Sequence, residues 1–300
     1  MSTPSPASEA HLTTQSTLEA AIEAWSIYLS DQGRSPHTIK AFCADVHLLA
    51  EYLPPGAPLG QVSTTDINNF LDWMQNGRGV PCSPKTLARR ITSIKAFFRW
   101  LHRYGIVLAD PAEKVVQRSV VSPLPVILTP AEVDLAMAAA QKFMTAPNPD
   151  RRHFMLFNLL IHTGLKKGEV RALKDNHLEF EAPDGPILFV RYASPQHRYK
   201  ERKIPLPPDW VAVFPDYQAQ YDLSEHIFPW SQRRLEYLLE DLTKATGLEK
   251  HISFEMCRWT CALLDYLNGM EHDKIRQKLG ISKVQWREVG DKLHRLAENL

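Results

Sequence analysis

Between Thr17 and about Leu108 the apolar residues recur at helical spacing throughout, and each run carries its own start and stop signals. Leu18, Ile22, Trp25 and Leu29 stand at i, i+4, i+7 and i+11, which predicts a first helix with one buried face. Ser35-Pro36 then supplies an N-cap and a proline at the first helical position. The helix they open turns Ile39, Phe42, Val46, Leu49 and Leu53 inward and stops at Pro54-Pro55-Gly56. A third helix starts in the Ser63-Thr64-Thr65-Asp66 cluster and runs through Ile67, Phe70, Leu71 and Met74 to Asn76-Gly77. A fourth begins at Ser83-Pro84.

That fourth helix is the first place where a function can be read. At about 100° per residue, Leu87, Ile91, Ile94, Phe97, Phe98 and Leu101 fall on one side. Lys85, Arg89, Thr92, Arg99 and Arg103 fall on the other. A solvated face normally mixes signs, and no acid stands on this one. From Lys85 to Arg118 the cations also include Arg90, Lys95 and Lys114, against only Asp110 and Glu113. The whole chain has a formal net charge of +1, which excludes a nonspecific polycation, so any nucleic-acid footprint has to be local.

The chain is 300 residues long, 44% apolar and 23% charged, enough for two domains with separate cores. Met1 to Thr14 is rich in Ser, Thr, Pro and Ala, which predicts a flexible tail over 1–15. The first domain is expected over 16–114 and a proline-containing extended linker over 115–128. The second domain, over 129–300, opens on the capping box of Thr129 and Glu132 and is again mainly helical. Within it, Ile187 to Arg191 and Lys203 to Leu206 read as two short strands around a polar turn, a β-hairpin in a helical domain.

Negative findings narrow the classes further. No apolar stretch approaches the roughly 20 residues of a membrane span, and no secretory leader pattern opens the chain, so a cytoplasmic protein without membrane contact is expected. Cys43, Cys82, Cys257 and Cys261 form no CxxC and are expected to be free thiols. The histidines show no metal-ligand spacing and no glycine-rich phosphate loop precedes a helix, so neither a metal nor a nucleotide cofactor is expected.

Several segments occur in the order found in one family. They are Ser35-Pro36-His37-Thr38-Ile39, Ser83-Pro84-Lys85-Thr86-Leu87-Ala88-Arg89-Arg90 with Phe97-Phe98-Arg99-Trp100-Leu101, Thr163-Gly164-Leu165-Lys166-Lys167-Gly168-Glu169, Lys200-Glu201-Arg202-Lys203-Ile204-Pro205-Leu206, Ser253-Phe254-Glu255-Met256-Cys257-Arg258, and Lys278-Leu279-Gly280-Ile281-Ser282. Together they resemble the tyrosine recombinases, the phage-integrase family. The resemblance implies a mainly α protein: an N-terminal helical core-binding (SAM-like) domain and a C-terminal catalytic-type domain, helical with a small β-hairpin. It also implies duplex DNA as partner, held as in a clamp, with a homo-oligomer or a recombinase partner on the DNA.

The same resemblance places the family's catalytic residues, and most positions differ. Lys166 stands where an arginine grips the scissile phosphate, and a lysine supplies one point charge in place of two parallel N–H bonds. Glu169 retains the acid three residues on. His197 falls where the general-acid lysine stands, with Lys200 as the alternative if the turn shifts. Glu255 replaces the histidine of the His-x-x-Arg box, Arg258 is kept, and Ile281 replaces a histidine or tryptophan. The count to the nucleophilic tyrosine lands on Gly290, and no tyrosine stands between Tyr266 and Leu300. Covalent catalysis in this family needs a phenolic oxygen.

The expectation is a DNA-binding protein without working catalytic residues. Lys85, Arg89, Arg90, Lys95, Arg99 and Arg103 would contact DNA from the first domain, and Lys166, Lys200, Arg202 and Arg258 from the second. Three alternatives remain open at this point: an internal Glu255–Arg258 ion pair at i,i+3, an enzyme using another nucleophile or a partner's, and an interaction module that has lost DNA binding.

Overall fold

In a computed structural model of the chain, which describes residues 12–80, 82–116 and 123–300, these residues fall into two compact units, 12–116 and 123–300. The first holds four α-helices: α1 (Leu18–Asp31), α2 (Pro36–Tyr52), α3 (Thr64–Asp72) and α4 (Pro84–Arg103). Each begins where a hydroxyl side chain accepts from a backbone N–H of the first turn: Thr17 for α1, Ser35 for α2, Ser63 for α3 and Ser83 for α4. At α3 the cap is reciprocal, since Asp66 accepts from the Ser63 amide at 2.9 Å.

The unit's core is aromatic. The Trp25 ring is fully buried, stacks on Phe42 at 6.1 Å and meets Phe97 edge-on at 5.2 Å, which joins α1, α2 and α4. Of the expected tail, residues 1–11 lie outside the described residues. Residues 12–15 depart from it: the Gly60 amide donates to the Thr14 carbonyl at 2.8 Å, and Leu12 packs against the core.

The second unit contains α5 (Pro130–Thr145), α6 (Arg152–Thr163), α7 (Lys167–Arg171), β1 (Leu178–Glu179), β2 (Ile187–Val190), β3 (Arg202–Pro205), α8 (Pro208–Tyr221), α9 (Gln232–Thr246), α10 (Phe254–Leu267), α11 (His272–Lys278) and α12 (Lys283–Ala297). Helix α6 is buried on every face except at Arg152 and His162, so it forms the axis around which α5, α8, α9 and α10 pack. It ends at Gly164, which adopts φ +61°. The hairpin is the antiparallel pair β2 and β3, with Leu188 opposite Ile204 and Val190 opposite Arg202. Strand β1 adds a third member that a two-residue segment gives no periodicity to reveal.

The expected linker over 115–128 also shrinks. Val115 is buried in the first unit's core, while Leu128 is buried in the second unit and its amide donates to Thr260 Oγ1 at 2.9 Å. Residues 117–122, including Arg118, lie outside the described residues.

Candidate nucleic-acid interface

On α4 the apolar side is inward and the opposite side is open to solvent at Lys85, Thr92, Arg99 and Arg103. Arg89 and Arg90 are different. Asp45, on α2, is almost wholly buried and receives Arg89 Nη1 at 2.5 Å, Ser93 Oγ at 2.8 Å and Arg90 Nε at 3.5 Å. Burial lifts the Asp45 carboxyl above its usual range, against the pull of the two guanidinium groups. Arg90, its side chain only 11% exposed, also points Nη1 at Cys82 Sγ and is removed from the solvent face. Arg89 is 40% exposed and keeps part of its guanidinium outward. Lys95 donates to the Glu113 carbonyl at 3.2 Å. The stripe is therefore narrower than its sequence: Arg90 is a structural cation and Arg89 is shared.

In the second unit the elements around Glu169 meet in one buried knot. Arg202 grips both oxygens of Glu169 at 2.9 Å and gives its Nε to the Lys278 carbonyl at 2.6 Å. The Lys166 amide donates to Glu169 Oε2 at 2.8 Å, and Tyr192 Oη donates to Oε1. Burial raises the Glu169 carboxyl, but the bonds and charge of Arg202 outweigh it and hold the carboxyl at about 2. Gly280 completes the knot: a Cβ there would lie 2.6 Å from Arg202 Nη1, and its φ of +59° also disfavours a side chain. Arg202 is thus an internal strut that ties β3 to α7 and α11, and the expectation that it contacts DNA is corrected.

Beside the knot opens a cleft of about 1020 Å³, lined by Lys166, Arg258, Trp259, Ile281, Val289 and the Gln232–Glu240 face of α9. Lys166 is half-buried in it. Burial first, and Arg258 next, lower its ammonium to about 8. Arg258 directs Nη1 to the Gly164 carbonyl and Nη2 to that of Leu279 at 2.5 Å, and among the described residues this leaves three of its five N–H groups. Glu255 is exposed on the cleft's rim, and among the described residues it forms no ion pair with Arg258. The cleft has not closed on itself through that pair.

Lys167 pairs with Glu236 at 2.5 Å, and Arg233 Nε donates to Tyr237 Oη at 2.5 Å, both on the cleft wall. His197 is exposed on the hairpin turn against Tyr192, and Lys200 is half-buried on the same turn. Gly290 lies in α12 beside Val289, where a Cβ would stand 3.4 Å from the Trp286 ring. Tyr192, Tyr237 and Asp45 are the residues that sequence reading missed. Only Tyr192 left a trace, through its place at the end of a predicted strand.

Residues 22–105 match the family described as phage integrase, N-terminal SAM-like domain. The tyrosine recombinase XerD of Listeria innocua is 24% identical over 273 residues, covering 86% of this chain and 89% of that protein. The tyrosine recombinase XerC of Roseiflexus castenholzii is 31% identical over 53% of this chain and 50% of its own length. The first unit thus carries the phage-integrase SAM-like domain, and the chain is similar to tyrosine recombinases over most of its length. The fold agrees over nearly its full length: a lambda integrase dimer bound to a COC' core site superposes with a TM-score of 0.72 at 17% identity, covering 93% of this chain and 78% of that one.

In this tyrosine recombinase relative, two of the sequence-predicted positions, Lys166 and Arg258, come together in the cleft with Glu255 at its rim and Ile281 on its wall. Glu169 lies behind them as a buried anchor. Among the described residues no His, Cys, Asp or Glu cluster is arranged to hold a metal ion, no helix is long and apolar enough to cross a membrane, and the four cysteines are unpaired. Cys43 and Cys82 are only partly buried, in contrast to Cys257 and Cys261.

Proposed function

We propose that this chain is a duplex-DNA-binding member of the tyrosine recombinase family that holds DNA by its phosphates without forming the covalent protein–DNA link. The observation that carries the reading is Gly290. The position at which the family resemblance places the nucleophile has no side chain, and it sits in α12 next to a residue lining the cleft of Lys166 and Arg258. Cations remain to meet a phosphate, but nothing at that position can attack one.

Binding on the first unit falls to Lys85, Arg99 and Arg103, with part of Arg89 and Lys95, and on the second to Lys166, Lys200 and the spare N–H groups of Arg258. The solved relatives support the partner and its stoichiometry, since lambda integrase was crystallised as a dimer on a core site and as a tetramer on a Holliday junction. This chain is accordingly read as binding DNA in more than one copy.

A suicide duplex, nicked so that any cleavage is trapped, tests the reading. The full chain is expected to retard the duplex on a native gel and to leave no protein-linked strand after denaturation. A covalent adduct would sink the non-cleaving reading. One specific observation favours a rival in that event: Tyr237 lines the same cleft as Lys166 and Arg258. Loss of the adduct in Tyr237→Phe would then make it the nucleophile.

A further inference from the structure

The turn between β2 and β3 carries a feature that phosphate binding does not use. Tyr199 is 70% exposed, the most exposed tyrosine among the described residues. It stands on a short 3-10 helix, Pro195–Lys200, whose base is fixed on both sides. The Tyr192 amide donates to Glu201 Oε1 at 2.9 Å, the Glu201 amide donates to the Arg198 carbonyl at 2.9 Å, and the next residue is the anchored Arg202. The ring is thus presented by a braced support, so ordering it against a ligand costs little entropy.

Its surroundings are cationic. Arg191 is exposed and lies over Phe189 at 4.6 Å, His197 and Arg198 are exposed, and Lys200 Nζ lies over the Tyr199 ring at 5.2 Å. Among the described residues Arg191, Arg198 and Lys200 form no ion pair, and Glu201, at the foot of the turn, is bound to the Tyr192 amide. An exposed aromatic face among unpaired cations suits a polyanion with flat apolar faces. A paired duplex offers only base edges to a side chain, while an unpaired base offers its face.

We propose that this turn is a nucleobase-stacking site, in which the open face of Tyr199 takes an unpaired DNA base while Arg198 and Lys200 hold the flanking phosphates. The proposal rests on the DNA-binding reading and names the form of DNA that the chain prefers: one with a base displaced from the stack.

The test compares a duplex bearing a single 2-aminopurine bulge with the same duplex fully paired, using the full chain at low salt. The bulged duplex is expected to bind about fivefold more tightly or better, with quenching of the 2-aminopurine fluorescence. Tyr199→Ala is expected to abolish both the preference and the quenching while keeping paired-duplex affinity. Tyr199→Phe is expected to keep both, because stacking needs the ring and not the hydroxyl. Equal affinity for the two duplexes, or a preference that survives in Tyr199→Ala, overturns the stacking site and leaves duplex binding standing. Failure to bind either duplex overturns the DNA-binding reading itself.

Discussion

Lys166 and Glu169 lie three residues apart and have opposite fates. Lys166 faces the cleft, and burial together with Arg258 lowers its ammonium to about 8, so it is charged at neutral pH and neutral above. Its contribution to phosphate binding is expected to fade as pH rises from 7 to 9, with the midpoint moved upward because a bound phosphate favours the charged form. Duplex affinity measured across that range at fixed salt should fall in the wild type and stay nearly level in Lys166→Arg, whose guanidinium does not titrate there. Identical profiles would remove Lys166 from the interface.

Glu169 holds structure together instead. Its folded-state value of about 2 lies below the unfolded 4.5, so its stabilisation is present above pH 4.5 and is lost as pH falls toward 2. Glu169→Gln leaves Arg202 buried without its counter-charge, at an expected cost of about 3–5 kcal/mol. Urea unfolding at pH 7 should show that gap, narrowing between pH 4.5 and 2. A gap under about 1 kcal/mol would mean the knot contributes little.

At the scale of elements, α4 separates cations by what they face. Arg99 and Arg103 are exposed, so reversing both to Glu is expected to lower duplex affinity by about tenfold or more while leaving the melting temperature unchanged. Arg89→Glu should lower both, because it places a second acid against buried Asp45. Unchanged affinity in the double reversal would leave the stripe without a role and favour an interaction module.

The helical period made the outward side of α4 legible, and Ser35-Pro36 and Ser83-Pro84 marked the starts of α2 and α4. It could not show Asp45, because the acid that claims Arg89 and Arg90 sits on α2 and a pattern within one helix says nothing about its neighbour. Arg202 was readable in principle. Strand alternation puts it in phase with buried Ile204, while Lys203 points out. Reading it as a DNA contact gave its charge priority over its register. The Glu169 knot draws on α7, β3 and the end of α11, so only the folded chain brings its parts together.

For the molecule as a whole, a net charge of +1 hides a division of labour. Some cations are bound internally, to Asp45, Glu169, Asp150 and Asp265, and others remain exposed or half-buried on α4, in the cleft and on the hairpin turn. Family resemblance made the fold legible almost from end to end, since segments such as Ser83-Pro84 and Lys278-Leu279-Gly280 mark structure whatever the chemistry. The central claim is that these remaining cations bind duplex DNA through its phosphates. It is tested most directly by the affinity of the full chain for a duplex at rising salt. With about six phosphates neutralised, affinity should fall roughly a thousandfold between 50 and 200 mM salt, linearly on logarithmic axes. A flat response, or no binding at 50 mM, would contradict it.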